Sequence, residues 1–165
     1  MTFEMDRLIL FRHGEAERPS AGGQDIDRAL DALGRTETRA VAAELARQGL
    51  VPDLALVSAA RRTRETWAEM AEIFANAAAE FDLGLYNADP ETLLASARAA
   101  TASTVIVIAH NPGLHMLAAY LGQSAAPDLR KRLERSFPTG GAAAFRFESG
   151  GKATCEAVVF PKDVR

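Results

Sequence analysis

Thr104-Val105-Ile106-Val107-Ile108-Ala109-His110-Asn111-Pro112-Gly113 is the stretch on which the reading of the chain turns. Six β-branched or apolar residues run on without a charge. That is the composition of a strand buried on both faces, as in parallel sheets covered by helices. The run stops at a histidine followed by turn-forming residues. Leu114, Leu117, Ala118 and Leu121 then recur at helical spacing until Gly122 closes the segment. The unit is strand, histidine, helix.

Two earlier stretches have the same outline. Leu8-Ile9-Leu10-Phe11 is a short apolar run ending in Arg12-His13-Gly14-Glu15, and Leu54-Ala55-Leu56-Val57 ends at Ser58, followed by Arg61, Arg62 and Arg64. Residues 18–27, with Pro19, Gly22 and Gly23, read as a loop. Leu33, Val41, Ala42, Leu45 and Ala46 form the apolar face of a helix that Gly49 stops and Pro52 keeps from resuming. Trp67, Met70, Ala71, Phe74 and Ala78 predict a long helix leaving the second strand. Leu83, Leu85 and Tyr86 fall in a short extended or loop segment, and Asp89-Pro90-Glu91 reads as a capped helix start. Residues 127–136 are charged and suit a surface helix. Ala142–Phe147 and Ala153–Phe160 alternate about Ser149-Gly150-Gly151-Lys152 as a hairpin would. Strands alternating with helices predict an α/β layered fold with a mostly parallel sheet and a late antiparallel hairpin. The 165 residues suit a single domain over 1–165.

A net charge of −3 argues against a general nucleic-acid or anionic-membrane surface. The lone Cys155 precludes an internal disulfide, and no Cys/His spacing suggests zinc. The acid-bearing start does not read as a signal peptide, and no apolar run is long enough to span a bilayer. A cytoplasmic enzyme or binding domain, with no metal and no cofactor, is the expectation.

In sheets of this kind ligands bind beyond the carboxyl ends of the strands. Three such ends carry Arg12-His13, Ser58 with its arginines, and His110. Imidazole can act as a nucleophile, and a phosphoryl group in transfer spreads negative charge over three oxygens that guanidinium forks match. Neighbouring arginines should lower a histidine's pKa and keep it neutral. A second histidine, if protonated, would add a donor.

Each piece has a plainer alternative. A histidine after a strand can be a structural hydrogen-bonding residue, and His115 is read that way. Arg61 and Glu65 suit a solvated i,i+4 pair, Trp67 and Phe74 suit the core, and Gly14 and Gly113 can serve only tight turns. Residue type alone yields an anion site that stops short of a reaction.

The motifs, taken together, resemble those of the histidine phosphatase superfamily. Leu8–Ala16 is similar to its strand-then-ArgHisGly signature. Val57–Thr66 resembles the second motif, in the register that selects Arg62 over Arg61 or Arg64. The strand ending at His110-Asn111-Pro112-Gly113 is similar to the third. Phe137-Pro138-Thr139-Gly140 resembles the turn before the last hairpin. The resemblance implies a three-layer α/β/α sandwich on a mixed, mostly parallel sheet, as in phosphoglycerate mutases. It implies His13 as nucleophile, with Arg12, Arg62 and His110 as the phosphate pocket and Gly14 beside them at the substrate.

Short length, the absence of large insertions and the Leu85-Tyr86-Asn87-Ala88-Asp89-Pro90-Glu91-Thr92-Leu93 segment look like the SixA-type phosphohistidine phosphatases. The partner so implied is a phosphohistidine protein of a phosphorelay. Asn111, where acid phosphatases carry an acid, counts against that branch. The mutase-like branch uses a mid-chain glutamate as proton donor, and no motif selects among Glu80, Asp82, Asp89 and Glu91. A small-molecule phosphomonoesterase or mutase-like enzyme is the second reading. A phosphate-binding module without turnover is the third.

Overall fold

The computed structural model describes residues 4–165; Met1–Phe3, the head of the acid-bearing start, lie outside the described residues. Six strands form one sheet in the order β3-β2-β4-β1-β5-β6. They are β1 (Arg7–Arg12), β2 (Leu54–Ser58), β3 (Ala78–Asp82), β4 (Thr104–Ala109), β5 (Ala142–Phe147) and β6 (Ala153–Val159). Strands β1 to β4 pair in parallel, β1 beside β4 and β4 beside β2, while β5 and β6 add antiparallel at the β1 edge. The sheet is mixed and mostly parallel, as expected.

Alternation along the central strands divides the core. Leu8 and Leu10 of β1, with Val105 and Val107 of β4, face one side, under α3 (Pro90–Ala99), α4 (Gly113–Leu121) and α5 (Pro127–Arg135). Ile9 and Phe11, with Ile106 and Ile108, face the other, under α1 (Ala32–Arg47) and α2 (Arg61–Met70). Two apolar faces each need a cover, and this produces the three-layer α/β/α sandwich. The chain leaves β1 for β2, runs outward to β3, then returns to insert β4 between β2 and β1. That reversal opens a crevice at the carboxyl ends of β1 and β4.

Four local expectations need correction. The long helix after β2 is α2 alone: it ends at Met70, and Ala78 opens strand β3. β3 is a largely exposed edge strand, so it lacks the apolar alternation that would reveal it. Leu33 is 53% exposed, because it sits in the first turn of α1, just after the Asp31 cap. Within the loop of residues 18–27, Asp25–Asp27 form a short 3-10 turn, and Leu83–Leu85 form another in the segment read as extended or loop. Asp89 caps α3 as expected, accepting a hydrogen bond from the Thr92 backbone N–H.

Candidate active site

Arg12 ends β1 and pairs in register with Ala109, the residue before His110. This neighbour relation brings the first and third motifs together. The His13 and His110 ring centroids lie 5.3 Å apart. Arg62, in the first turn of α2, reaches across from β2, and its Nε lies 3.3 Å from His13 Nε2. His13, Arg62 and His110 are buried, and with Arg12 and Asn111 they line one cavity of about 350 Å³.

Two hydrogen bonds set the tautomer of His13. Its Nδ1 lies 2.8 Å from the Gly14 carbonyl, which can only accept, so Nδ1 carries the proton. Arg62 Nε can only donate, so Nε2 presents its lone pair. Burial pushes the His13 pKa down from 6.5 to about 3; the Gly14 hydrogen bond opposes this, and His110, Arg62 and Arg12 lower it further. The neutral imidazole expected from the sequence is present, with burial ahead of the arginines as its cause.

For His110 the condition of protonation, under which it would add a donor, is not met near neutral pH. Burial, then Arg62, bring its pKa down to about 4. Its Nε2 meets Ser58 Oγ at 2.7 Å, and its Nδ1 has no hydrogen-bond partner in the protein. Ser58 Oγ can donate to Nε2, and in that tautomer the neutral ring carries its proton on Nδ1 and serves as a donor.

Surrounding contacts hold these groups in place. Gly140 N–H donates to both Arg12 O (3.0 Å) and His13 O (2.9 Å), so the ProThrGly turn clamps the end of β1. The Phe137 carbonyl accepts from Arg12 (3.1 Å) and from Asn111 Nδ2 (2.9 Å), which ties the β4 end to the same turn. Thr66 accepts the Gly14 N–H at 3.1 Å and donates back to Arg62 O at 2.7 Å. Gly14 and Gly113 are required by close approach rather than by turn conformation. A Cβ at Gly14 would lie 2.7 Å from Gly34 O, and one at Gly113 would lie 2.0 Å from Ala88 O.

None of Glu80, Asp82, Asp89 and Glu91 lines the cavity. Asp82 and Asp89 instead hold the backbone N–H groups of Gly84 and Thr92. Asp25, which sequence reasoning missed, lies at the cavity. Arg62 donates to its backbone carbonyl (2.8 Å) and to Oδ2 (3.0 Å), Tyr86 OH donates to Oδ2 (2.5 Å), and Arg28 donates to Oδ1 (3.1 Å). These contacts, the Tyr86 hydrogen bond first, hold the Asp25 carboxyl well below the usual carboxylate range. Tyr86 meets the His110 ring edgewise at 5.4 Å. Nothing in the sequence marks Asp25 beyond its i,i+3 spacing to Arg28, because its partners come from α2 and from the segment after β3.

The plainer assignments hold where the sequence made them. His115 Nε2 donates to the Leu133 carbonyl at 2.7 Å, outside the cavity. Arg61 pairs with Glu65 at 3.5 Å, and Trp67 and Phe74 are buried. Among the described residues no group of three or more His, Cys, Asp or Glu side chains could hold a metal ion, and no helix is long and apolar enough to cross a membrane.

The family model of the histidine phosphatase superfamily (branch 1) matches residues 8–90, which include Arg12, His13 and Arg62 and stop short of His110. Among solved structures, the Agrobacterium tumefaciens protein named phosphohistidine phosphatase SixA is 28% identical, with a TM-score of 0.83 over 94% of this chain and 97% of that one. The protein of the same name from Nakamurella multipartitia is also 28% identical, with a TM-score of 0.77 over 94% and 96% of the two chains. A mycobacterial glucosyl-3-phosphoglycerate phosphatase shares the fold at 17% identity, with a TM-score of 0.63 over 94% of this chain and 97% of that one. No sequence among the curated proteins matches this chain.

Proposed function

Because this chain belongs to the histidine phosphatase superfamily, we propose that it is a phosphatase acting on protein phosphohistidine through a covalent phosphohistidine on His13. The observation that carries the substrate choice is the state of the acids. Two carboxylates line the cavity: Asp25 is held ionised by three donors, and Glu15 is engaged by Thr139 Oγ1, which donates to its Oε2 at 2.9 Å, while the mid-chain acids stand away. An alkoxide leaving group needs a positioned acid, which typically contributes about a hundredfold or more; a protonated imidazole needs none.

In the first step the Nε2 lone pair of His13 attacks phosphorus and the P–N bond of the substrate breaks. Its electrons return to the departing ring, which leaves as neutral imidazole. Arg62, Arg12 and His110 Nδ1–H receive the charge of the equatorial oxygens. Water then attacks the phosphorus, the His13 N–P bond breaks, and dihydrogen phosphate forms with both protons of that water. Nδ1–H stays on the Gly14 carbonyl throughout, so the base is regenerated without a further proton transfer. The positive charge comes from side chains, and the reaction needs no metal.

A phosphohistidine-carrying protein and a set of alkyl phosphomonoesters, incubated in parallel with the enzyme and a chelator, test this. Faster loss from phosphohistidine is the expected result, with an acid-labile phosphoenzyme trapped in wild type and absent in His13→Ala. Selective ester turnover, or a rate restored only by added divalent metal, would overturn the reading.

A further inference from the structure

Arg62 presents its side-on edge, Nε and the terminal nitrogen beside it, to two partners at once. Nε–H points to the His13 lone pair at 3.3 Å, and the adjacent N–H points to Asp25 Oδ2 at 3.0 Å. That edge is the one with which a guanidinium grips phosphate bidentately. Nucleophile and carboxylate therefore flank the same edge from opposite ends. A phosphoryl group seated on it has His13 on one side, with nitrogen and phosphorus about 3 Å apart at attack. In-line displacement puts the leaving atom one P–N bond beyond phosphorus on the opposite side, toward Asp25.

We propose that Asp25 determines substrate specificity by acting as counter-ion to the cationic ring of the bound substrate, favouring phosphorylated imidazolium, which leaves as a neutral ring, over esters that leave as anions. The inference rests on the phosphohistidine reading above and names the residue that enforces it. Asp25 is suited to this by its fixed position. Tyr86 holds Oδ2 and the far terminal nitrogen of Arg62 holds the Asp25 backbone carbonyl, contacts that do not use the phosphate-gripping edge, while Oδ1 accepts only from Arg28 and keeps a lone pair free. Tyr86 also packs edgewise on His110, so the carboxylate is referenced to the phosphate pocket from both sides. When the substrate ring carries its second proton, that N–H is a charge-assisted donor to Asp25. An anion leaving from the same place meets a negative charge there. Before substrate arrives the carboxylate rests on the phosphate-gripping edge of Arg62, so it also competes with anions for that edge.

The test compares kcat/KM for phosphoimidazole and p-nitrophenyl phosphate in wild type, Asp25→Asn and Asp25→Glu, with inorganic phosphate as competitive inhibitor. The nitrophenolate needs no proton to leave, so the pair separates leaving-group charge from acid catalysis. In Asp25→Asn the phosphoimidazole-to-ester ratio should fall about tenfold or more, the loss of one charge-assisted hydrogen bond, and phosphate should inhibit more strongly. Asp25→Glu, which keeps the charge, should hold the ratio within several-fold of wild type. If Asp25→Asn lowers both substrates equally and weakens phosphate inhibition, Asp25 merely positions Arg62; the inference fails and the phosphohistidine reading stands. If wild type turns over the ester and not phosphoimidazole, both fail.

Discussion

His13 gives one N–H to Gly14 and takes one from Arg62, so its proton inventory is settled before substrate binds. The same burial that keeps it neutral makes it a liability in acid. Its pKa lies near 3 when folded and that of His110 near 4, against an ordinary 6.5. Above pH 6.5 both states are neutral and nothing is lost. As pH falls below 6.5 the unfolded chain takes up protons that the folded protein refuses, so stability drops, levelling off near the folded values. Each histidine should contribute about 1.4 kcal/mol per pH unit to that slope between pH 6 and 4.5. Urea unfolding at several pH values should therefore show a slope shallower by about that amount in His13→Ala. Identical slopes would mean that His13 is solvated and free to protonate.

At the scale of elements, the junction between β4 and α4 is the tightest part of the site. Gly113 opens α4 three residues after His110, and its missing side chain admits the Ala88 carbonyl from the segment before α3. A Cβ would lie 2.0 Å from that oxygen, a separation only backbone movement can relieve. Gly113→Ala should thus cost about 1–3 kcal/mol and displace His110, lowering turnover further than the stability loss explains. Calorimetry and kinetics on the same preparation check this; wild-type values in both would show that the two segments are not in contact. The 3-10 turns matter at this scale too, since one delivers Asp25 and the other precedes Tyr86.

For the whole molecule, a net charge of −3 surrounds a local cluster of Arg12, Arg62 and Arg28 at the cavity. Anion binding should therefore be confined to this site and linked to folding. Inorganic phosphate at a hundredfold excess over its dissociation constant should stabilise the protein by about 2.7 kcal/mol, read as a rise in Tm. Arg62→Ala should abolish the rise. Arg61→Ala should preserve it, since Arg61 pairs with Glu65 on the solvent side, a contact worth about 0.3 kcal/mol. A lost shift in Arg61→Ala would place the phosphate-binding arginine one residue earlier.

Much of this architecture was legible in the chain because β1, β2 and β4 are each short, apolar and ended by a candidate site residue. The run Thr104–Ala109 announced a strand buried on both faces, and the order of motifs implied the mixed sheet and the candidate residues Arg12, His13, Arg62 and His110. Periodicity reports burial, so it failed where burial is slight: β3 is an exposed edge strand, and Ala78 was taken for the end of a helix. Contacts between distant segments left no local trace at all. Asp25 meets Arg62 and Tyr86, 37 and 61 residues away, and Ser58 meets His110 across 52. Chemical type and local pattern are properties of neighbours in the chain, and they determined the buried strands and the candidate residues at their ends. Which carboxylate faces the clamp, and which tautomer His13 holds, depend on partners that only the folded sheet brings within hydrogen-bond reach.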